Sequence, residues 1–348
     1  MKIIHCADLH LSSPIKEFSG DIAKKIKTEV RNAFSRLVTY AKTNGVSVIL
    51  LAGDVFDEKK AKKDDINFFY KVIEENADIH FLYLRGNHDQ MGEEREFPNL
   101  KKFSSEWQKY TYGDVVIAGI EIAPENNSSY YATLSLDAKK KNIVMLHGQV
   151  GGDINIVKLR DKNIDYLALG HIHQYGDGEV DRRGRYAYSG CLQGRGFDET
   201  GVKGFILLTV EDKVFYEFIP FSEWNIETVQ LDVGGLSDSY SISRLAEKEI
   251  PFQKDFVYRI ELVGEVDAEV EMDGIVLDLE RSLGAHCAHV RVKDRTKKKI
   301  DYTAYDGDNS LKGEFVRTVR ASEEHTEEEK AQIIAYGLKA LAGREVDA

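Results

Sequence analysis

Short, nearly unbroken apolar runs recur through the first half of the chain, and a glycine or polar residue stops each abruptly. Ile3 to Cys6, Val46 to Ala52 and Ile79 to Leu84 are such runs. Unbroken apolarity, rather than alternation, predicts strands covered on both faces. Between them the period changes. Ile22, Ile26, Val30, Phe34, Leu37, Val38 and Ala41 share one helical stripe, which predicts a long helix from Asp21 to Lys42. Ile66, Phe69, Tyr70 and Ile73 predict a second helix over residues 64–75. Strand–helix–strand–helix–strand in this order predicts a parallel sheet.

After residue 112 the texture shifts. Val115 to Ile120, Ile143 to Leu146 and Ile164 to Leu169 read as strands, with Pro124 to Ser129 as loop. Arg185 to Ser189, Gly204 to Val210 and Val214 to Pro220 follow as short strands between glycine-rich turns. These predict a second sheet packed on the first. A change of charge near Glu223 and Trp224 marks a boundary. It gives a first domain over 1–222, a small α+β module over 223–320 and a closing helix within 321–348. Within the module, Glu227 to Val233, Phe256 to Val263 and Ala288 to Val292 read as strands, and 239–249 and 272–283 as helices. Thr326 to Glu329 has the form of a capping box, and Gly343 suits the helix stop.

Composition narrows the class. The chain has 348 residues, 42% hydrophobic and 30% charged, as in an ordinary globular protein. No apolar run approaches the roughly 18–20 residues of a membrane span, and strand material at the N-terminus leaves no leader visible. The expectation is therefore no membrane association. Three dispersed cysteines, Cys6, Cys191 and Cys287, fit a reducing cytoplasm, and Cys6 reads as a core residue. The net charge of −12 is uneven: residues 223–348 carry 17 Lys and Arg against 27 Asp and Glu. The first domain is nearly neutral, so a phosphate substrate is not excluded, though no basic signature argues for one.

The chemistry sits where the runs end. Asp8-x-His10, Gly53-Asp54-x-x-Asp57, Gly86-Asn87-His88-Asp89, His147-Gly148 and Gly170-His171-x-His173 each follow an apolar run. Singly, each would read as a polar turn. Five of the seven histidines in residues 1–173 fall in these motifs, which makes chance a poor account. His5, His80, His286, His289 and His325 lie outside the pattern and read as structural or surface residues. Ends of parallel strands converge on one crevice. Mixed nitrogen and oxygen donors there suit two divalent ions, Mn²⁺, Fe²⁺ or Zn²⁺ before Mg²⁺ or Ca²⁺. We expect Asp8, His10 and His173 on one ion, and Asn87, His147 and His171 on the other. Asp54, after the longest run, would bridge. The ions would activate a water for attack at phosphorus. His88 is not needed as a ligand and is the candidate acid for the leaving oxygen, with Asp57 fixing its ring. Gly86 is expected to take φ > 0 at a tight strand exit.

The combined motifs resemble the calcineurin-type metallophosphoesterase superfamily over about residues 1–222. That resemblance implies a two-sheet αββα sandwich and a dinuclear metal centre. Within the superfamily the chain is similar to SbcD-type DNA repair exonucleases, including the YhaO-like group. The similarity is carried by Gly53-Asp54-Val55-Phe56-Asp57, by Tyr188 to Arg195 and by Glu199 to Gly204. It implies a Mn²⁺-dependent nuclease acting on DNA, with Arg195 binding substrate and the C-terminal module capping the active site. It also implies pairing with itself and with an SbcC-type coiled-coil ATPase, for which the last helix could serve as docking element. The alternatives are an esterase of small phosphomonoesters or cyclic nucleotides, and a scaffold without catalysis.

Overall fold

Parallel strands β1 (Lys2–Cys6), β2 (Val48–Ala52), β3 (His80–Leu84) and β4 (Leu100–Lys102) build the first sheet in the computed structural model. The antiparallel pair β11 (Gly204–Val210) and β12 (Val214–Pro220) extends it beyond β1. The second sheet has the order β5 (Gln108–Tyr112), β6 (Val115–Gly119), β7 (Lys141–His147), β8 (Tyr166–Gly170), β10 (Arg185–Tyr188), β9 (Gly176–Glu179). Its middle strands β6, β7, β8 and β10 are parallel, and its edges β5 and β9 are antiparallel. The structure describes every residue except 58–60, 90–94, 124–125, 127–128, 268, 300–301 and 342–348.

The unbroken apolar runs are explained by what covers them. Ile3, Val48, Leu50 and Leu82 of the first sheet pack with Ile117, Ile143, Met145 and Ala168 of the second. The alternate residues Ile4, Ile49, Leu51 and Phe81 face α1 (Gly20–Thr43) and α2 (Lys63–Glu74) through Phe34, Leu37 and Phe69. Val144, Leu146, Leu167 and Leu169 pack outward on Tyr130, Tyr131 and Leu159. Each such Val, Leu, Ile, Phe or Met side chain contributes about 1.5–3 kcal/mol by leaving water. Helices and strands thus form the two-sheet sandwich that the resemblance implied.

His5 joins the sheets by polar contacts. Its Nδ1 lies 2.9 Å from Tyr166 Oη and its Nε2 3.2 Å from the Leu169 carbonyl. Burial pushes its pKa from 6.5 to about 3, against the Leu169 bond. The unfolded chain therefore takes a proton here well before the folded one. Stability from a neutral His5 is complete above pH 6.5 and drains away as pH falls toward about 3. Urea unfolding at pH 7 and pH 5 should show a smaller acid loss for His5→Gln than for wild type. Equal losses would remove His5 from the account.

The chain divides into one unit of Met1–Thr228 with Gln253–Tyr258, and another of Val229–Phe252 with Arg259–Ala348. Among the described residues a three-stranded sheet has the order Asn225–Asp232, Phe256–Val263, His289–Asp294, and a two-stranded one pairs Glu265–Val266 with Lys297–Lys298. In the second unit, helix Ser239–Glu249 is capped by Asp238, which accepts the Ser241 N–H at 2.8 Å. Its Ser243 meets Ser282 of helix Met272–Leu283 at 3.2 Å. Thr326 and Glu329 form the expected capping box: the Glu329 N–H donates to Thr326 Oγ1 at 3.3 Å and the Thr326 N–H to Glu329 Oε2 at 2.8 Å. Gly343, the expected stop, lies outside the described residues. Among the described residues no helix is long and apolar enough to cross a membrane.

Candidate metal centre

Parallel register sets the strand exits side by side, and backbone hydrogen bonds then zip the exit loops together. Asp8 N–H donates to the Gly53 carbonyl at 2.9 Å, His10 to Asp54 at 3.0 Å and Leu11 to Val55 at 2.8 Å. On the second sheet His147 stands opposite Gly170. The exits are strained. Asp8, His10, Asp54 and His171 hold φ of 53°, 48°, 51° and 99°, in the left-handed region that non-glycine residues rarely enter. Such strain persists only where the surroundings over-determine it, and it concentrates at functional sites.

Gly86 corrects an expectation. It is absent from the glycines with positive φ. Its need is for space: a Cβ there would lie 2.1 Å from Asp54 Oδ1. Gly53 combines both reasons, with φ of 96° and a hypothetical Cβ 2.1 Å from His147 Nδ1.

Two donor clusters result. Asp8, His10 and His173 form one; Asp54, His147 and His171 form the other, each with ligand atoms mutually within 4.8 Å. Asn87 Oδ1 joins the second, 3.1 Å from His147 Nε2 and 3.3 Å from His171 Nδ1. The clusters are stitched together, because the His171 N–H donates to both Asp8 oxygens at 3.0 and 3.1 Å. Asp8, His10, Asp54 and His147 are buried, His171 and His173 half-buried, and Asn87 and His88 exposed. The centre has a sealed floor and an open rim.

The donor set fits divalent cations, and the lone pairs show why. His147 Nδ1 meets the Ala52 carbonyl at 2.9 Å, so that nitrogen carries the proton. Its bare Nε2 then faces Asp54 Oδ2 at 3.2 Å and Asn87 Oδ1 at 3.1 Å, three acceptors together. In the other cluster His10 Nδ1 lies 3.2 Å from Asp57 and His173 Nδ1 2.7 Å from Glu199. Their Nε2 atoms face each other at 2.9 Å. Converging lone pairs repel unless a proton or a cation sits between them. Without an ion the protons answer. Burial opposes charge on His147, but Asp54 and then Asp8 raise its pKa to about 9. Burial also works on the carboxylates: it lifts Asp8, while the His147 bond overrides it and holds Asp54 low.

A profile of the calcineurin-like phosphoesterase family matches residues 1–175. The chain belongs to that family. It is 30% identical over 275 residues to the uncharacterized metallophosphoesterase YhaO of Bacillus subtilis, covering 71% of this chain and 67% of that one. It is 24% identical over 267 residues to SbcD, a subunit of the nuclease SbcCD, from Staphylococcus saprophyticus, covering 63% and 69%. Among solved structures, a dimetal phosphatase from Danio rerio is similar over 62% of this chain and 98% of its own, at 10% identity and a TM-score of 0.42.

Family membership makes this phosphoesterase a metal-site hydrolase of phosphoester bonds, and other residues around its centre then acquire places. His88, 47% exposed, has its Nδ1 3.0 Å from Asp57 Oδ1. That same oxygen also faces His10, and Asp57 Oδ2 accepts the Ser13 hydroxyl at 2.5 Å. Burial opposes ionisation of Asp57, but the His10 and Ser13 bonds hold its pKa well below the usual range. Arg195 is mostly buried, with its guanidinium against Glu199 and 3.7 Å from Asp57. The motif reading gave Asp89 no role. Its carboxylate accepts N–H bonds from Phe56 (2.8 Å), Gly86 (3.0 Å) and Val55 (3.2 Å), tying the Asp54 loop to the Asn87 loop. Burial raises Asp89 to about 7 against those three donors. Its place at the end of Gly86-Asn87-His88-Asp89 was the available signal.

Proposed function

We propose that the chain is a Mn²⁺-dependent phosphodiesterase whose substrate is DNA. The carrying observation is the pair of stitched donor clusters with His88 exposed at their rim and held by Asp57. Asp8, His10 and His173 would hold one ion and Asn87, His147 and His171 the other, with Asp54 available to both. Divalent ions there supply an activated water and neutralise phosphate charge. The rest falls to this chain's own side chains. Asp57 fixes the His88 ring through Nδ1, which leaves the far ring nitrogen to deliver a proton to the leaving oxygen. The buried floor keeps donors in place, and the open rim admits a phosphate that is part of a longer chain. The similarity to SbcD of the SbcCD nuclease supports DNA as the substrate and an SbcC-type ATPase as partner. Self-pairing, cytoplasmic residence and Mn²⁺ over Fe²⁺ or Zn²⁺ belong to the same reading.

A second reading keeps the chemistry and replaces DNA with small phosphomonoesters or cyclic nucleotides; the net charge of −12 favours it. Labelled DNA and small phosphoesters, each incubated with full-length protein and Mn²⁺, separate the two. Turnover of small esters without DNA cleavage would replace the first reading by the second. His88→Ala is expected to lower kcat roughly 10²–10⁴-fold with bound metal unchanged. Equal cleavage by wild type and variant would remove His88 from the chemistry.

A further inference from the structure

We propose that Glu199 and Lys203 are positioning residues for the metal centre, gripping His173 by its ring and by its backbone. The inference rests on the two-ion reading above and deepens it.

Glu199 is 3% exposed, and its carboxylate lies 2.7 Å from His173 Nδ1. The same carboxylate accepts the Arg195 backbone N–H at 2.8 Å and the Arg195 guanidinium, so it cannot swing away. A carboxylate on Nδ1 requires the proton there. The lone pair of Nε2 is thereby aimed at His10 Nε2, 2.9 Å away. An imidazole whose far N–H is bound to a carboxylate is also a stronger donor to metal.

Lys203 completes the grip. It is 2% exposed, an unusual place for an ammonium. Its Nζ donates to the His173 carbonyl and to Gln174 Oε1, each at 2.9 Å. The Cys191 N–H donates to the same carbonyl at 3.4 Å. Gly190, with φ of 69°, lets the turn approach: a Cβ would stand 3.0 Å from that carbonyl oxygen. A buried lysine with no carboxylate among these partners is a costly arrangement. What it secures is the backbone beneath one ligand. The His171 ring has a looser hold among the described residues, its Nδ1 facing Asn87 at 3.3 Å, although its backbone N–H is tied to Asp8.

The effect should therefore be confined to one ion. Calorimetric titration of metal-free, full-length protein with Mn²⁺ tests this. Wild type should bind two ions; fewer would overturn the two-ion reading itself. Glu199→Gln, which keeps size and an acceptor for Arg195, should weaken one ion roughly 10–100-fold and leave the other within twofold. In a His171→Ala background the remaining ion should be weakened by Glu199→Gln. In a His10→Ala background it should not be. Lys203→Met should repeat the pattern, and circular dichroism of each metal-free variant verifies folding. If Lys203→Met does not fold, the Glu199→Gln series alone decides. Imidazole ¹⁵N shifts of the metal-free protein give a readout without activity: His173 should be Nδ1-protonated in wild type and mixed in Glu199→Gln. Two ions in wild type, with affinities and tautomer unchanged in Glu199→Gln, would overturn the inference and leave the two-ion reading standing.

Discussion

Asp54→Ala is expected to lose both ions together and at least roughly 10³-fold in phosphoesterase turnover. Asp54 is 1% exposed, with one oxygen 3.2 Å from His147 Nε2 and the other accepting the His88 N–H at 2.9 Å. The substitution strips the second cluster of its carboxylate and releases the loop that carries His88. Several kcal/mol of charge stabilisation rest on the ions, and about 4 kcal/mol already corresponds to 10³ in rate. The same change should lower the pKa of His147, because Asp54 is the larger of the two carboxylate influences, with Asp8, that counter its burial. Metal content by mass spectrometry and initial rates on a phosphodiester measure both effects. A variant that retains one tight ion and a tenth of the activity would refute the shared-ligand assignment.

Gly86→Ala should be nearly as damaging although it removes no ligand. The new methyl would lie 2.1 Å from Asp54 Oδ1 and 2.7 Å from the Asp54 backbone nitrogen, far inside contact distance. Neither the backbone nor a carboxylate held by His147 and His88 can yield cheaply. Overpacking of this kind costs about 1–3 kcal/mol, and the relief available is displacement of the Asp54 loop, so metal binding should fail with it. Gly113→Ala is the control. It has φ of 66° with nothing within 4 Å, so it should cost only about 1–2 kcal/mol of backbone strain and leave the metal centre intact. Thermal unfolding together with Mn²⁺ titration compares them. Unaltered metal binding in Gly86→Ala would mean that the Asp54 loop tolerates a shift that this packing argument forbids.

Much of the fold was legible because its central strands are covered on both faces. Runs such as Val48–Ala52 carry no polar interruption, and the donor residues stand at their ends. The two long helices were legible from one apolar stripe each. The edges were not. Leu100–Lys102, Gln108–Tyr112 and Gly176–Glu179 are short, polar and half-exposed, so they carry no hydrophobic period. Helix Leu311–Ala321 was hidden by Gly313 and by β-branched Val316, Thr318 and Val319, which weaken a helical signature. In the centre, side chains at strand ends could be read one by one, but their sharing could not. Asp57 Oδ1 faces both His10 and His88, and Glu199 reaches His173 only through the tertiary fold. Gly86 was noticed for its flexibility, whereas its neighbour Asp54 requires its small size.

The first strand has one neighbour from early in the chain and one from late: β1 pairs with β2 in parallel and with β11 antiparallel, Lys2 opposite Thr209. While the polypeptide emerges from the ribosome, β1 therefore waits with one edge unpaired until the segment around Thr209 has been translated. Non-local pairing of this kind is slow, and it leaves an open edge exposed to misassembly. The donor clusters share that delay, because His173 and its supports are made far later than Asp8. The full donor set therefore comes together only after that long loop has closed.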